Sequence, residues 1–154
     1  NMGVQKEALP EAIDTVRQAV RNTLDDERGR WVLTNHPEAR SEWALSVVED
    51  VGVQSDTQSD ADMGVWNREV RQVVIDRTFV DEAGTRWIVD FKTGTHQGGQ
   101  VETFLDNEQK RYAVQLNRYA DIISRMDGRP IRVGLYFPLL KAWREWQPPL
   151  SDDE

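Results

Sequence analysis

Val74-Ile75-Asp76-Arg77-Thr78-Phe79-Val80-Asp81-Glu82-Ala83-Gly84-Thr85-Arg86-Trp87-Ile88-Val89-Asp90-Phe91-Lys92 is the stretch from which the fold reads outward. Val65–Val80 and Thr85–Phe91 are rich in β-branched and aromatic residues and flank the turn-forming Asp81-Glu82-Ala83-Gly84, which signals a hairpin. A four-residue loop would pair Val80 with Thr85. A three-residue loop, Glu82-Ala83-Gly84, would pair Asp81 with Thr85 and set Gly84 in the left-handed conformation, which glycine takes without a Cβ clash. The three-residue loop is therefore expected. It places Asp76 directly across from Asp90, with Cβ atoms ~5 Å apart. Lys92, two residues further on, shares their face because strand side chains alternate. The four-residue loop would send the aspartates to opposite faces. Ile75, Phe79, Trp87, Val89 and Phe91 make up the other face, which reads as core.

Upstream, Ile13, Val16, Val20 and Leu24 recur at helical spacing, so a helix is expected from about Pro10 to Asp26, with Pro10 in its first turn and Gly29 as its stop. Trp31-Val32-Leu33 reads as a short strand and Trp43–Val48 as a second, with Glu42 just before it. Downstream, Thr93–Gln100 is a polar loop. A long helix is expected from about Glu102 to Met126, with Tyr112, Leu116, Tyr119, Ala120 and Ile123 as its apolar stripe. Arg111, Arg118 and Arg125 form a separate stripe at seven-residue spacing. Gln115 and Tyr119 lie one turn apart near the border between the stripes. Gly128 and Pro130 stop this helix, Ile131–Phe137 is a strong strand, and Ala142–Trp146 is a short one.

The chain has 154 residues, no Cys, and 19 basic against 27 acidic residues, a net charge of −8. Without Cys there are no disulfides, thiolate nucleophiles or iron–sulfur clusters. No apolar run approaches the ~20 residues that span a bilayer, and no phosphate-binding Gly-x-x-x-x-Gly-Lys-Ser/Thr loop is present. A negative charge argues at first against a nucleic-acid partner. Its location changes that reading, because five acids in Glu49–Met63 and three in Asp152-Asp153-Glu154 account for the whole acidic excess. Both segments lack apolar periodicity and read as solvated and mobile. The expected organisation is one domain over 10–147 with a mobile loop at 49–63. Residues 1–9, opening with an Asn-Met-Gly expression scar, lead into it, and a disordered acidic tail follows at 148–154.

Two opposed aspartates repel each other unless a cation or proton intervenes. A hard divalent cation suits them, since Mg²⁺ takes one or two carboxylates and completes its shell with water and substrate phosphate. Lys92 beside it would orient or deprotonate a water, or balance charge on a phosphoryl oxygen. On spacing alone an ordinary Asp–Lys ion pair on a surface hairpin, worth ~0–1 kcal/mol, is the commoner explanation, because Asp-x-Lys often occurs by chance.

Val89-Asp90-Phe91-Lys92-Thr93-Gly94, preceded by Val74-Ile75-Asp76-Arg77 and followed by Gln115-Leu116-Asn117-Arg118-Tyr119, resembles the RecB-type branch of the PD-(D/E)XK nucleases. Glu42, in Ser41-Glu42-Trp43-Ala44-Leu45-Ser46, matches the early Glu of that pattern. The likeness runs from about Trp31 to Trp146 and is greatest to the C-terminal nuclease domains of UvrD/Rep-type helicases, such as the AddA and RecB subunits. It implies an α/β restriction-endonuclease-like core, a central mixed sheet flanked by helices. It further implies an Mg²⁺- or Mn²⁺-dependent (exo)deoxyribonuclease working in DNA end resection, recombination and repair in the bacterial cytoplasm beside the nucleoid. Partners would be DNA, the helicase domains of a parent chain and a second helicase–nuclease subunit, with no membrane. On this resemblance Glu42, Asp76, Asp90 and Lys92 are catalytic. Asp76, Asp90 and the Phe91 backbone carbonyl bind metal, Gln115 and Tyr119 support the site or touch DNA, and Arg111 and Arg118 contact phosphates. Members of this branch usually add a His ligand from an N-terminal helix. The helix expected at 10–26 has none, and His36 and His96 fall in loops. The family also includes silent domains that only bind DNA or a partner subunit.

Overall fold

The computed structural model describes residues 8–52, 66–95 and 99–150. Its elements run α1 (Ala8–Asp25), α2 (Glu27–Leu33), β1 (Arg40–Gly52), β2 (Trp66–Val80), β3 (Arg86–Phe91), α3 (Val101–Ser124), β4 (Ile131–Phe137) and β5 (Ala142–Trp146). The five strands form one mixed sheet in the order β1-β2-β3-β4-β5. All neighbours are antiparallel except β3 and β4, which run parallel and are joined through α3. A parallel pair needs such a crossover, because a tight turn cannot bring the chain back in the same direction.

The central hairpin has the expected three-residue loop. Asp81 donates its N–H to the Thr85 carbonyl at 2.9 Å, and Gly84 sits at φ 83°. Asp81 also organises the turn with its side chain. Its Oδ1 accepts the N–H groups of Ala83 and Thr85, each at 2.9 Å, and its Oδ2 accepts Trp87 Nε1 at 2.8 Å. Burial works to raise the Asp81 pKa, but these hydrogen bonds outweigh it and hold the carboxyl below its ordinary value.

Both faces of the sheet are covered. Ile88, Ile131, Val133, Leu135 and Phe137 pack against Leu105, Leu116, Ala120 and Ile123 of α3. On the opposite face, Val32 of α2 packs with Phe79, Trp87, Val89 and Tyr136. The expected stripe of α3 is thus the one that meets the sheet.

Several sequence expectations are corrected. Trp31-Val32-Leu33 is the last turn of α2, not a strand, and Gly29 lies inside that helix. The helix starts there because Asp26 is its N-cap and accepts the Gly29 N–H at 3.3 Å. Gly29 is needed for space: a Cβ would stand 2.3 Å from the Thr23 carbonyl and 2.7 Å from the Tyr136 hydroxyl. Residues 49–52, expected in a mobile loop over 49–63, belong to β1 and pair with 66–69 of β2; residues 53–63 lie outside the described residues. Of the expected tail, Pro148 is buried against the domain and 151–154 lie outside the described residues. Ile75 packs on the α3 face, away from Phe79.

That last correction has a local cause. Trp43 and Ile75 pack with the α3 cluster, whereas Ala39 and Phe79, of the same parity on their strands, pack with the α2 cluster. The β1–β2 ribbon therefore exchanges faces between these positions. Glu42 lies at the exchange with φ 50°, a left-handed value uncommon for a residue with a Cβ. The flanking pairs Ser41–Arg77 and Trp43–Ile75 set it across from Asp76.

The apolar stripe of α1 is not used by the rest of the fold. Ile13, Val16, Val20 and Leu24 are all about half exposed, and the main contact of α1 is with α2. Among the described residues no helix is long and apolar enough to cross a membrane.

Candidate active site: a carboxylate pair and a lysine at the end of β3

The hairpin register pairs Arg77 with Val89, Thr78 with Ile88 and Phe79 with Trp87. Extended by one pair, it sets Asp76 opposite Asp90, on the face that carries Ile88 and looks toward α3. The two carboxyl groups are therefore neighbours on one face, close enough for Asp76 to help raise the Asp90 pKa. Asp76 Oδ2 also accepts the Phe91 N–H at 3.0 Å, which fixes the peptide following Asp90 against the pair. Lys92 Nζ stands 2.7 Å from Asp90 Oδ2. Its backbone N–H donates to the Tyr136 carbonyl at 2.9 Å, so the lysine is anchored to β4 just beyond the end of β3.

Burial pushes the Asp90 pKa up to about 6, and the neighbouring Asp76 carboxyl adds to the rise, while Lys92 pulls against it. The Asp90 side chain is 18% exposed and that of Lys92 23%, so the cluster is half-sunk yet reachable. Two acids facing one ammonium leave an anionic surplus at a sheltered spot. The donor set of two convergent carboxylates fits a hard divalent cation, which needs no more than that from a protein when water and phosphate complete its shell. Among the described residues no group of three or more His, Asp or Glu side chains gathers as a metal cage.

Glu42 is not drawn into the cluster: its register position is across from Asp76, but its side chain is exposed. His36 lies on the opposite face of the sheet, stacked on Phe79 with ring centroids 4.1 Å apart, so it does not supply a further ligand. His96 is outside the described residues. Arg77, next to Asp76, points the other way. Its guanidinium donates to the carbonyls of Val32 at 3.1 Å and Thr34 at 2.9 Å, holding the C-terminal end of α2.

Gln115 and Tyr119 form a pair, the amide Nε2 donating to the tyrosine hydroxyl at 2.8 Å. With Arg71, Arg111 and Arg118 they line a cleft of about 490 Å³ between β2 and α3. The carboxylates do not line that cleft. Arg71 is a basic residue that sequence reasoning missed, and strand parity with Val73 was the available signal. A second omission is Tyr112, read only as part of the apolar stripe. Its ring lies under Lys92, with Nζ 3.6 Å from the centroid. No local sequence signal links residues 92 and 112.

No model of a known protein family matches the chain, and no curated protein matches it.

Proposed function

We propose that this chain is a divalent-metal-dependent DNA nuclease domain with a restriction-endonuclease-like core, akin to the RecB-type domains at the C-terminal ends of helicase–nucleases. The observation that carries the reading is the placement of Asp76 beside Asp90 where the β2–β3 pairing stops, with Asp76 Oδ2 on the Phe91 N–H and Lys92 Nζ 2.7 Å from Asp90. An inert surface hairpin gains nothing by burying one carboxyl against another. Asp76, Asp90 and the Phe91 carbonyl would hold Mg²⁺ or Mn²⁺, which when bound polarises a phosphodiester and acidifies a water. The Lys92 ammonium donates hydrogen bonds toward the attacking water or the phosphoryl oxygen on which charge develops. Phe91 N–H keeps Asp76 oriented throughout. The cleft lined by Arg71, Arg111, Gln115, Arg118 and Tyr119 offers cations and a polar pair to backbone phosphates, contacts that position a nucleic acid without reading its sequence.

The test is incubation with linear single- and double-stranded DNA, with Mg²⁺ or Mn²⁺ and with chelator, for the parent and for Asp90→Ala and Lys92→Ala. Metal-dependent cleavage that falls at least 100-fold in both variants is expected. If calorimetry detects no divalent-ion binding and the variants match the parent, the reading fails. The exposed Glu42 favours one second reading, a silent nuclease-fold module; it predicts DNA or partner binding with no cleavage under any metal.

A further inference from the structure

Lys92 is held from two sides. One is the Asp90 carboxylate, 2.7 Å from Nζ. The other is the face of the Tyr112 ring on α3, with Nζ 3.6 Å from its centroid. Tyr112 is half-buried against the core cluster beneath α3, one turn before the buried Leu116, so its ring has little freedom to leave. We infer that Tyr112 is the positioning residue for Lys92, keeping the ammonium over the carboxylate site when a cation takes up the charge of Asp90. This rests on the nuclease reading for its consequence, but not for its geometry.

The two holds differ in one decisive respect. A divalent cation competes directly with Lys92 for the oxygens of Asp90, and a lysine on a flexible four-carbon stem then loses the hold of that carboxylate. An aromatic face attracts an ammonium through its quadrupole and offers no lone pair that a hard cation would seek. Tyr112 therefore grips Lys92 without competing for the metal. The phenol oxygen is not required, because the attraction belongs to the ring. Arg111 shares the same ring, with Cζ 5.2 Å from its centroid, but its side chain is 70% exposed, so it covers the ring from the solvent side.

The distinguishing variants are Tyr112→Phe, which keeps the ring, and Tyr112→Leu, which keeps an apolar side chain without one. The first readout needs no activity. The ε-methylene protons of Lys92, assigned by their disappearance in Lys92→Arg, should be shifted upfield by the ring current in the parent and in Tyr112→Phe, and should return to ordinary values in Tyr112→Leu. The shift should persist when Mg²⁺ is added. Loss of the shift on adding Mg²⁺, or its survival in Tyr112→Leu, overturns the inference. The second readout is cleavage. In Tyr112→Leu kcat should fall about 5- to 30-fold, the range expected for a partly desolvated cation–ring contact, with KM for DNA and Mg²⁺ affinity unchanged; Tyr112→Phe should stay within twofold of the parent. A Tyr112→Leu protein that loses the ring-current shift yet cleaves at the parental rate also overturns it. If the parent cleaves no DNA, the nuclease reading falls, and the proton shifts with and without Mg²⁺ alone decide whether Tyr112 holds Lys92. Circular dichroism of each variant checks that Tyr112→Leu leaves the fold intact.

Discussion

At the scale of single residues, Asp90 links the site to stability. Its carboxyl has an ordinary pKa of 3.8 and is raised to about 6 in the folded protein, first by burial and then by Asp76. The folded state thus binds the Asp90 proton more tightly than the unfolded chain does. The stabilising contribution is full below pH 3.8, declines as pH rises through the window from about 4 to 6, and is lowest above it. Asp90→Asn fixes the uncharged state. In chelator at pH 7–8 this variant should be more stable than the parent by roughly 1–2 kcal/mol, allowing for partial exposure, and near pH 4 the two should match. Urea unfolding at the two pH values checks this; an Asp90→Asn protein less stable than the parent at pH 8 would refute it. Stability gained where activity is lost is the behaviour expected of a functional carboxylate.

At the scale of elements, the hairpin turn sets the site. Removing the Asp81 side chain leaves the N–H groups of Ala83 and Thr85 and the Trp87 indole without their acceptor, so Asp81→Ala should cost about 2–3 kcal/mol. Gly84→Ala should cost only about 1 kcal/mol, because a Cβ there meets nothing within 4 Å and the penalty is the left-handed backbone alone. Denaturant midpoints should rank parent, Gly84→Ala, Asp81→Ala in falling order. The turn was legible in the sequence because its chemistry is local: an Asp, a Gly and three residues decide the register, and the register decides where Asp76 and Asp90 meet. The strands of β4 and β5 and the buried stripe of α3 were legible through periodicity. What was not legible depends on distant partners. Trp31-Val32-Leu33 has strand-like composition, yet a cap at Asp26 and the hold of Arg77 on its last carbonyls make it helical. The exchange of faces in the β1–β2 ribbon, with Glu42 in a left-handed conformation, leaves no mark in the pattern of residue types. The meeting of Lys92 and Tyr112 requires the whole β3–α3–β4 crossover.

At the scale of the whole molecule, one buried arginine ties three segments together. Arg86, at the start of β3, reaches Glu38 before β1 at 2.6 Å and Asp127 after α3 at 2.9 Å, and Arg129 closes the network on Asp127 at 3.0 Å. The site is thereby framed from the far end of its own strand. The overall charge of −8 acts differently, as the source of repulsion between copies. That repulsion vanishes near the isoelectric point of about 4.8, just below the range in which the folded protein's Asp90 takes up its proton. The half-exposed stripe of Ile13, Val16, Val20 and Leu24 is then least shielded, and light scattering at high protein concentration should peak near that pH. Val16→Asp with Val20→Asp should flatten the peak; a peak unchanged in the double variant would place the sticky surface elsewhere. The stripe on α1 thus sets a colloidal limit on the chemistry of a site it does not touch: acid titrations of Asp90 are cleanest in dilute solution, where the protonated pair can be followed before the molecules find one another.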